Sequence, residues 1–424
     1  MRAVTGLLTV LALYAAPAHA AGVDPIAAMI DAGDPFAVAD RLKAPDHLPE
    51  PERALLEGAA AAMRFDDQAA VAALERATQS AQLRPALRRL AQTLLGGVHL
   101  RAHNYAAAAD ALGTAYALAV AEAALTAEER LALKQTRDVA IALLGEAPQS
   151  RDALREGSVP IKRDAANLAR AGGRANGIDE EFVLDTGAGY STVTRSAAAR
   201  LRLRMLPDQV VVESATADSV PARLGIAQDL EIAGNRFHSV VFLVMVDAAL
   251  TFSNGAYKID AILGFPVLSR LGRIEFVREG DGETFRAGVA SGPVAPVGDL
   301  YLDGMRPIAA LEFAGAGRVR LFLDSGAKAT SLNAAFASAF PAVMRNAATK
   351  KMTFGGAGGS RTRNVRILSN ATLVADGRAR RLASVTVSDE TKNEYGTLGQ
   401  DVLRADGGFA LDFSAMDFVF LPAK

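Results

Sequence analysis

Two aspartates stand in the same local setting 139 residues apart. One ends the run Phe182-Val183-Leu184-Asp185-Thr186-Gly187-Ala188, the other Leu321-Phe322-Leu323-Asp324-Ser325-Gly326-Ala327. Each is an apolar run of strand type broken by Asp, a small hydroxyl residue and Gly. One such turn is common; its bland reading is an Asx turn after a strand. Two in one chain read as two halves that each supply a carboxylate. Two carboxylates held about 3 Å apart cannot both ionise easily, so one pKa rises and the pair shares a proton. The charged member can take a proton from water while the protonated one donates to a carbonyl oxygen. The pair titrates as a unit, so acid and base are roles of the pair.

The duplication continues past the turns. Tyr190-Ser191-Thr192-Val193 matches Ala329-Thr330-Ser331-Leu332, with hydroxyl residues in register. Ile262-Leu263-Gly264-Phe265-Pro266-Val267-Leu268 matches Thr397-Leu398-Gly399-Gln400-Asp401-Val402-Leu403, with Gly264 79 residues after Asp185 and Gly399 75 after Asp324. An apolar strand closes each half, Arg273-Ile274-Glu275-Phe276 and Ala410-Leu411-Asp412-Phe413.

On these motifs, residues 156–424 resemble the retropepsin/pepsin clan of aspartic proteases. The resemblance implies two mainly antiparallel β lobes in one chain, with Asp185 and Asp324 as the catalytic pair. It implies that Thr186 and Ser325 hydrogen-bond across to lock the two aspartate loops. It implies that Gly264 and Gly399 let a strand pass close beneath each loop. Gly187 and Gly326 permit a sharp turn where a side chain would clash. It also implies a hairpin flap over the cleft in each half. Glu213-Ser214-Ala215-Thr216-Ala217-Asp218-Ser219 lies at flap distance from Asp185, and Phe354-Gly355-Gly356-Ala357-Gly358-Gly359-Ser360 at the matching distance from Asp324. Ala215, Thr216, Ala217, Phe354, Gly355 and Gly356 are the expected substrate-binding positions, through backbone hydrogen bonds to an extended peptide. An ordinary hairpin loop is the plainer reading of both.

The chain departs from the family pattern. Neither flap carries the Tyr of pepsin-like members. Lys328 stands four residues after Asp324, where retroviral members have a carboxylate, and Gly189 fills that place in the first half. A nearby ammonium lowers a carboxyl pKa; pointing away, it would bind a substrate carboxylate.

Other chemistries find little support. Ser325-Gly326-Ala327-Lys328 fits the Ser-x-x-Lys of penicillin-recognising enzymes, but that motif opens a helix, and its Lys-Thr-Gly and Ser-Asp-Asn companions are missing. His99 and His103 are four apart without the Glu of a His-Glu-x-x-His site, and read as surface or helix-end residues. The chain has no Cys, which removes thiol catalysis and Cys-based zinc sites. No Walker loop or Gly-x-Ser-x-Gly elbow occurs. Gly315-Ala316-Gly317 reads as a hairpin turn. No metal or organic cofactor is implied.

These halves are preceded by segments of different character. Residues 1–20 read as a secretory signal: Arg2, an apolar core at Leu7-Leu8-Thr9-Val10-Leu11-Ala12-Leu13, and Ala18-His19-Ala20 as a cleavage site. The core is short for a membrane span, so a periplasmic or secreted mature chain is expected. Residues 21–150 are rich in Ala and Leu with helical periodicity. Turns at Arg64-Phe65-Asp66-Asp67 and Ala102-His103-Asn104-Tyr105 separate helix pairs that resemble tetratricopeptide repeats, with an irregular solenoid or bundle as the alternative. Pro148 and Ser150 to Gly157 read as a linker, and Gly292-Pro293-Val294-Ala295-Pro296 as a junction between lobes at 156–290 and 294–424. The net charge of −1, the absence of Trp and 6% aromatics give no sign of nucleic-acid binding.

The expectation is an α plus β multidomain chain: a helical domain, then a bilobal aspartic endopeptidase acting on an extended peptide. The helical domain would recruit substrate or a protein partner. The rival expectation is a non-catalytic peptide-binding scaffold on the same fold.

Overall fold

The computed structural model describes residues 24–423, apart from 46, 123–124, 213–219, 253–254, 291–297, 357–358, 376 and 391. The expected signal segment, the first flap and the junction at 292–296 lie outside the described residues. Among the described residues, no helix is long and apolar enough to cross a membrane. Two units separate: one holds the described residues up to Pro148 together with Tyr301–Met305, the other holds Gln149–Leu300 and the chain from Arg306 onward.

The helical unit contains α1 (Pro25–Asp31), α2 (Pro35–Lys43), α3 (Glu50–Met63), α4 (Asp67–Gln79), α5 (Pro85–Arg101), α6 (Tyr105–Glu122) and α7 (Ala127–Ala142). Local signals set their starts. Asp24 and Asp34 cap α1 and α2 from just before a proline, and Thr126 with Glu129 forms a capping box on α7. The helix pairs α3–α4 and α5–α6 repeat at a spacing of 38 residues. Phe65 and His103 take φ of 61° and 62° after α3 and α5. The next amide in each case, Asp66 or Asn104, returns to the carbonyl of Ala61 (3.0 Å) or His99 (2.8 Å). This is a Schellman ending made without glycine. Within each pair a small residue lets the helices close: a Cβ on Gly58 would lie 2.6 Å from Leu74 Cγ, and one on Gly96 2.5 Å from Leu112 Cγ. His99 and His103 do stand at the end of α5, but both are buried rather than at the surface.

The second unit is mainly β. Ser150–Arg151, expected to be linker, instead forms a short strand against His238 and Phe237. Each half is built around one arrangement. The aspartate strand, Ile178–Leu184 or Gly317–Leu323, runs parallel beside the strand Ala261–Leu263 or Gly396–Leu398. That strand in turn pairs antiparallel with the one after the aspartate turn, Ser191–Thr194 or Ser331–Leu332. Strands enclosed in this way need apolar side chains on both faces. Phe182, Val183, Leu184, Leu321, Phe322 and Leu323 supply them, and all are buried. The turn at Gly315-Ala316-Gly317 joins the antiparallel strands Arg306–Phe313 and Gly317–Leu323.

The two closing strands pair with each other. Gly408–Asp412 lies antiparallel to Arg273–Glu279, with Ile274 opposite Leu411 and Phe276 opposite Phe409. The Phe276 and Phe409 rings stack with centroids 4.7 Å apart. Asp417–Phe420 adds a further strand outside Gly408–Asp412. The end of the second half is therefore part of the sheet that carries the first.

Candidate active site

The backbone ladder places each aspartate at the end of its strand. Asp185 N donates to Leu263 O at 3.0 Å, and Asp324 N to Leu398 O at 3.2 Å. The chain then turns, and the carboxylate itself caps the turn. Asp185 Oδ1 accepts from Gly187 N at 2.9 Å. Asp324 Oδ1 accepts from Gly326 N at 2.8 Å and Ala327 N at 2.9 Å. Both are Asx turns, but the turns use only Oδ1. Among the described residues, no N–H or O–H reaches the buried Asp185 Oδ2; its neighbour is the Asp324 carboxyl.

Four reciprocal hydrogen bonds hold the turns face to face. Thr186 N donates to Ser325 Oγ at 3.0 Å, and Ser325 N to Thr186 Oγ1 at 3.0 Å. Thr186 Oγ1 donates to Leu323 O at 2.8 Å, and Ser325 Oγ to Leu184 O at 2.9 Å. Each hydroxyl thus accepts from the opposite loop and donates to the opposite strand, so both of its functions are satisfied in a buried place. Gly187 and Gly326 follow from this closeness. A Cβ on Gly187 would lie 2.6 Å from Asp324 Cγ, and one on Gly326 2.6 Å from Asp185 Oδ2. Neither has a left-handed backbone. Glycine is required here by the opposite carboxyl more than by the sharpness of the turn.

Burial raises both carboxyl pKa values, because it disfavours charge. Asp185 is pushed well above the ordinary range by desolvation and by the Asp324 charge. Asp324 rises to about 6 through desolvation, held down by the Gly326 and Ala327 amides and by the Lys392 ammonium. The direction is the same for both. Lys328, the cation singled out in the sequence, has an exposed side chain. Lys392 acts on Asp324 in its place, from the loop before Gly396–Leu398. Its position carries no local motif, and no repeat partner marks it.

Beneath each loop the halves again match. Gly264 N donates to Ser191 Oγ at 3.2 Å, and Gly399 N to Thr330 Oγ1 at 3.1 Å. These are the hydroxyls found in register in the sequence, where they had no assigned partner. A Cβ on Gly264 would lie 2.5 Å from Ala188 O, and one on Gly399 2.5 Å from the Ala329 carbonyl carbon, so each strand passes close under its loop. Asp401 adds a support in the second half only, accepting from Thr330 N at 2.8 Å and Thr330 Oγ1 at 2.7 Å.

The structure thus brings together Asp185, Asp324, Thr186, Gly187, Ser325, Gly326, Gly264 and Gly399. Ala215, Thr216 and Ala217 lie outside the described residues; the strands on either side, Arg204–Val212 and Val220–Ile232, pair up to Val212 opposite Val220. Phe354, Gly355 and Gly356 pair with Arg361, Ser360 and Gly359 at the end of a β-hairpin. Among the described residues, no group of three or more His, Asp or Glu is arranged to hold a metal. A groove of about 840 Å³ is lined by residues such as Arg170, Gly173, Glu231 and Arg236 and includes neither Asp185 nor Asp324. It is open and charged, and its position gives it no part in the carboxylate chemistry.

Comparison with known proteins points to the same region. A family model described as aspartyl protease matches residues 171–267. The match includes Asp185 and Gly264 and ends before Asp324. Among solved structures, a retropepsin-like aspartic protease from Rickettsia conorii is similar at 19% identity and a TM-score of 0.22, over 32% of this chain and 94% of that one. The EIAV protease complexed with the inhibitor HBY-793 is similar at 21% identity and a TM-score of 0.18, over 23% of this chain and 86% of that one. At these TM-scores neither likeness carries weight for the fold or the chemistry. No curated protein matches the chain.

Proposed function

We propose that this chain is an aspartic endopeptidase in which Asp185 and Asp324 activate one water molecule. The observation that carries the reading is the reciprocal Thr186–Ser325 clamp, which sets two buried carboxyls from separate halves against each other. Burial and mutual repulsion favour the singly protonated pair. In that state the ionised carboxylate takes a proton from water as the water oxygen bonds to the scissile carbonyl carbon. The protonated carboxyl gives its proton to the carbonyl oxygen. Collapse of the tetrahedral intermediate breaks the C–N bond, and the amine leaves with a proton returned through the pair. Water and peptide supply every atom of the products.

The substrate is an extended peptide, held by strand-like hydrogen bonds from hairpins such as the one ending at Phe354-Gly355-Gly356. The 38-residue repeat of helix pairs supports a tetratricopeptide-like reading of residues 21–150, with a protein partner or substrate segment as ligand. The basic start, apolar core and small-residue site within residues 1–20 support export to the periplasm. The test is cleavage of a mixed peptide library from pH 4 to 8. Cleavage that Asp324→Asn abolishes supports the reading. Folded protein that cleaves nothing across the range overturns it in favour of a peptide-binding scaffold.

A further inference from the structure

The supports under the two aspartate loops differ at the residue after the strand-end glycine. It is Phe265 in the first half and Gln400 in the second. Both backbone amides serve the loop: Phe265 N donates to Ala188 O at 2.7 Å, and Gln400 N to Ala327 O at 2.9 Å. Only Gln400 adds its side chain. It is 3% exposed, and its Nε2 donates to Ser325 O at 3.0 Å. Its Oε1 faces Arg163 Nη1 at 3.5 Å. A carbonyl only accepts and a guanidinium only donates, so the two partners together fix which way the amide lies. Arg163 is anchored by Glu283 through its Nε at 2.8 Å, and Glu283 also binds Arg404 Nη2 at 2.5 Å.

The Ser325 carbonyl and the Gly326 N–H belong to one peptide group. That N–H is the one that donates to Asp324 Oδ1 at 2.8 Å. A hydrogen bond to the carbonyl polarises the peptide and strengthens its N–H as a donor. A chain therefore runs from the Arg163 guanidinium through the Gln400 amide and the Ser325–Gly326 peptide to one carboxylate oxygen. Among the described residues, the first half has no such chain at the matching place, where Phe265 has no polar side-chain atom.

We infer that Gln400 is a positioning residue that favours charge on Asp324 and leaves the shared proton on Asp185. The inference deepens the peptidase reading and takes its significance from it, but it concerns the protonation of the pair directly. The other charges around the site are consistent with it. Lys392 favours charge on Asp324 in the same sense, and so does the hydrogen bond from Asp185. Glu283 and Arg404 enclose Arg163, Asp401 is occupied by Thr330, and Lys328 is exposed.

The experiment is a carboxyl titration by NMR of the full chain labelled with ¹³Cγ-aspartate. The signals of the pair are identified by their loss in Asp185→Asn and Asp324→Asn. In Gln400→Met the lower apparent pKa of the pair is expected to rise by about half a pH unit. Phe265→Leu, at the matching place in the other half, is expected to leave it unmoved. An unchanged lower step in folded Gln400→Met overturns the inference, as does an equal shift in Phe265→Leu. If Gln400→Met does not fold, Arg163→Lys removes the fork while keeping a charge for Glu283, and the same upward shift is required of it. Peptide cleavage by a wild type whose titration Gln400→Met does not alter removes the relay and keeps the peptidase. A shifted titration in a protein that cleaves nothing keeps the relay and removes the peptidase.

Discussion

At the residue scale, each aspartate caps its own turn through Oδ1. The turn leaves Asp185 Oδ2 unused among the described residues, so the Asx-turn reading and the proposed catalytic reading are compatible. The raised pKa values of the two aspartates make a stability prediction. A carboxyl whose folded pKa exceeds its ordinary value of 3.8 binds its proton more tightly when folded. Its contribution is fully present below about pH 4 and is lost as pH rises through the folded value. Asp185→Asn removes that loss. Its melting temperature should match the wild type near pH 4 and exceed it at pH 8; a variant less stable than wild type at pH 8 would contradict the assignment. The same shifts place the singly protonated pair nearer neutrality than free carboxylates. Cleavage should be faster at pH 7 than at pH 4, and the reverse order in a pH–rate profile would count against the raised pair.

At the element scale, the motifs that were legible are those in which one local segment does one job. The apolar strand, Asp, hydroxyl and Gly are contiguous, and so is Leu-Gly, so repetition exposes them. Gln400 stands opposite Phe265 in the repeated segment, and the sequence reading gave it no role. Its meaning depends on Arg163, 237 positions away, which no local pattern announces. The helix pairs give the sharpest contrast between similar substitutions. Gly→Ala in a helix gains up to about 1 kcal/mol from backbone entropy. At Gly96 the new methyl would meet Leu112 Cγ at 2.5 Å, and overpacking costs about 1–3 kcal/mol. At Gly113 nothing lies within 4 Å. Thermal melts should therefore show Gly96→Ala destabilised and Gly113→Ala slightly stabilised.

At the scale of the whole β unit, the two halves are not self-contained. The sequence places one closing strand in each half. Their pairing with each other is a long-range register choice, which alternation along a strand cannot specify. Ser150–Arg151 escaped notice for the same reason: two residues have no periodicity, and their partner is His238. Residues 149–290 made alone would expose the edge of Arg273–Glu279 with Ile274 and Phe276 on it, and an uncovered apolar edge is a template for further pairing. That fragment should self-associate in sedimentation, and adding residues 405–424 as a peptide should reduce the association. A monodisperse, folded monomer would show that the second half is dispensable to the first.

The measurement that bears most directly on the carboxylate pair is kcat/KM on one identified peptide for the wild type, Asp185→Asn, Asp324→Asn and Ser325→Ala. If two carboxyls activate water, each Asn variant loses at least about 10³-fold at every pH. Ser325→Ala, which removes a clamp hydroxyl but no carboxyl, keeps measurable turnover. Substantial cleavage by either Asn variant, or its complete loss in Ser325→Ala with a folded protein, would contradict the mechanism.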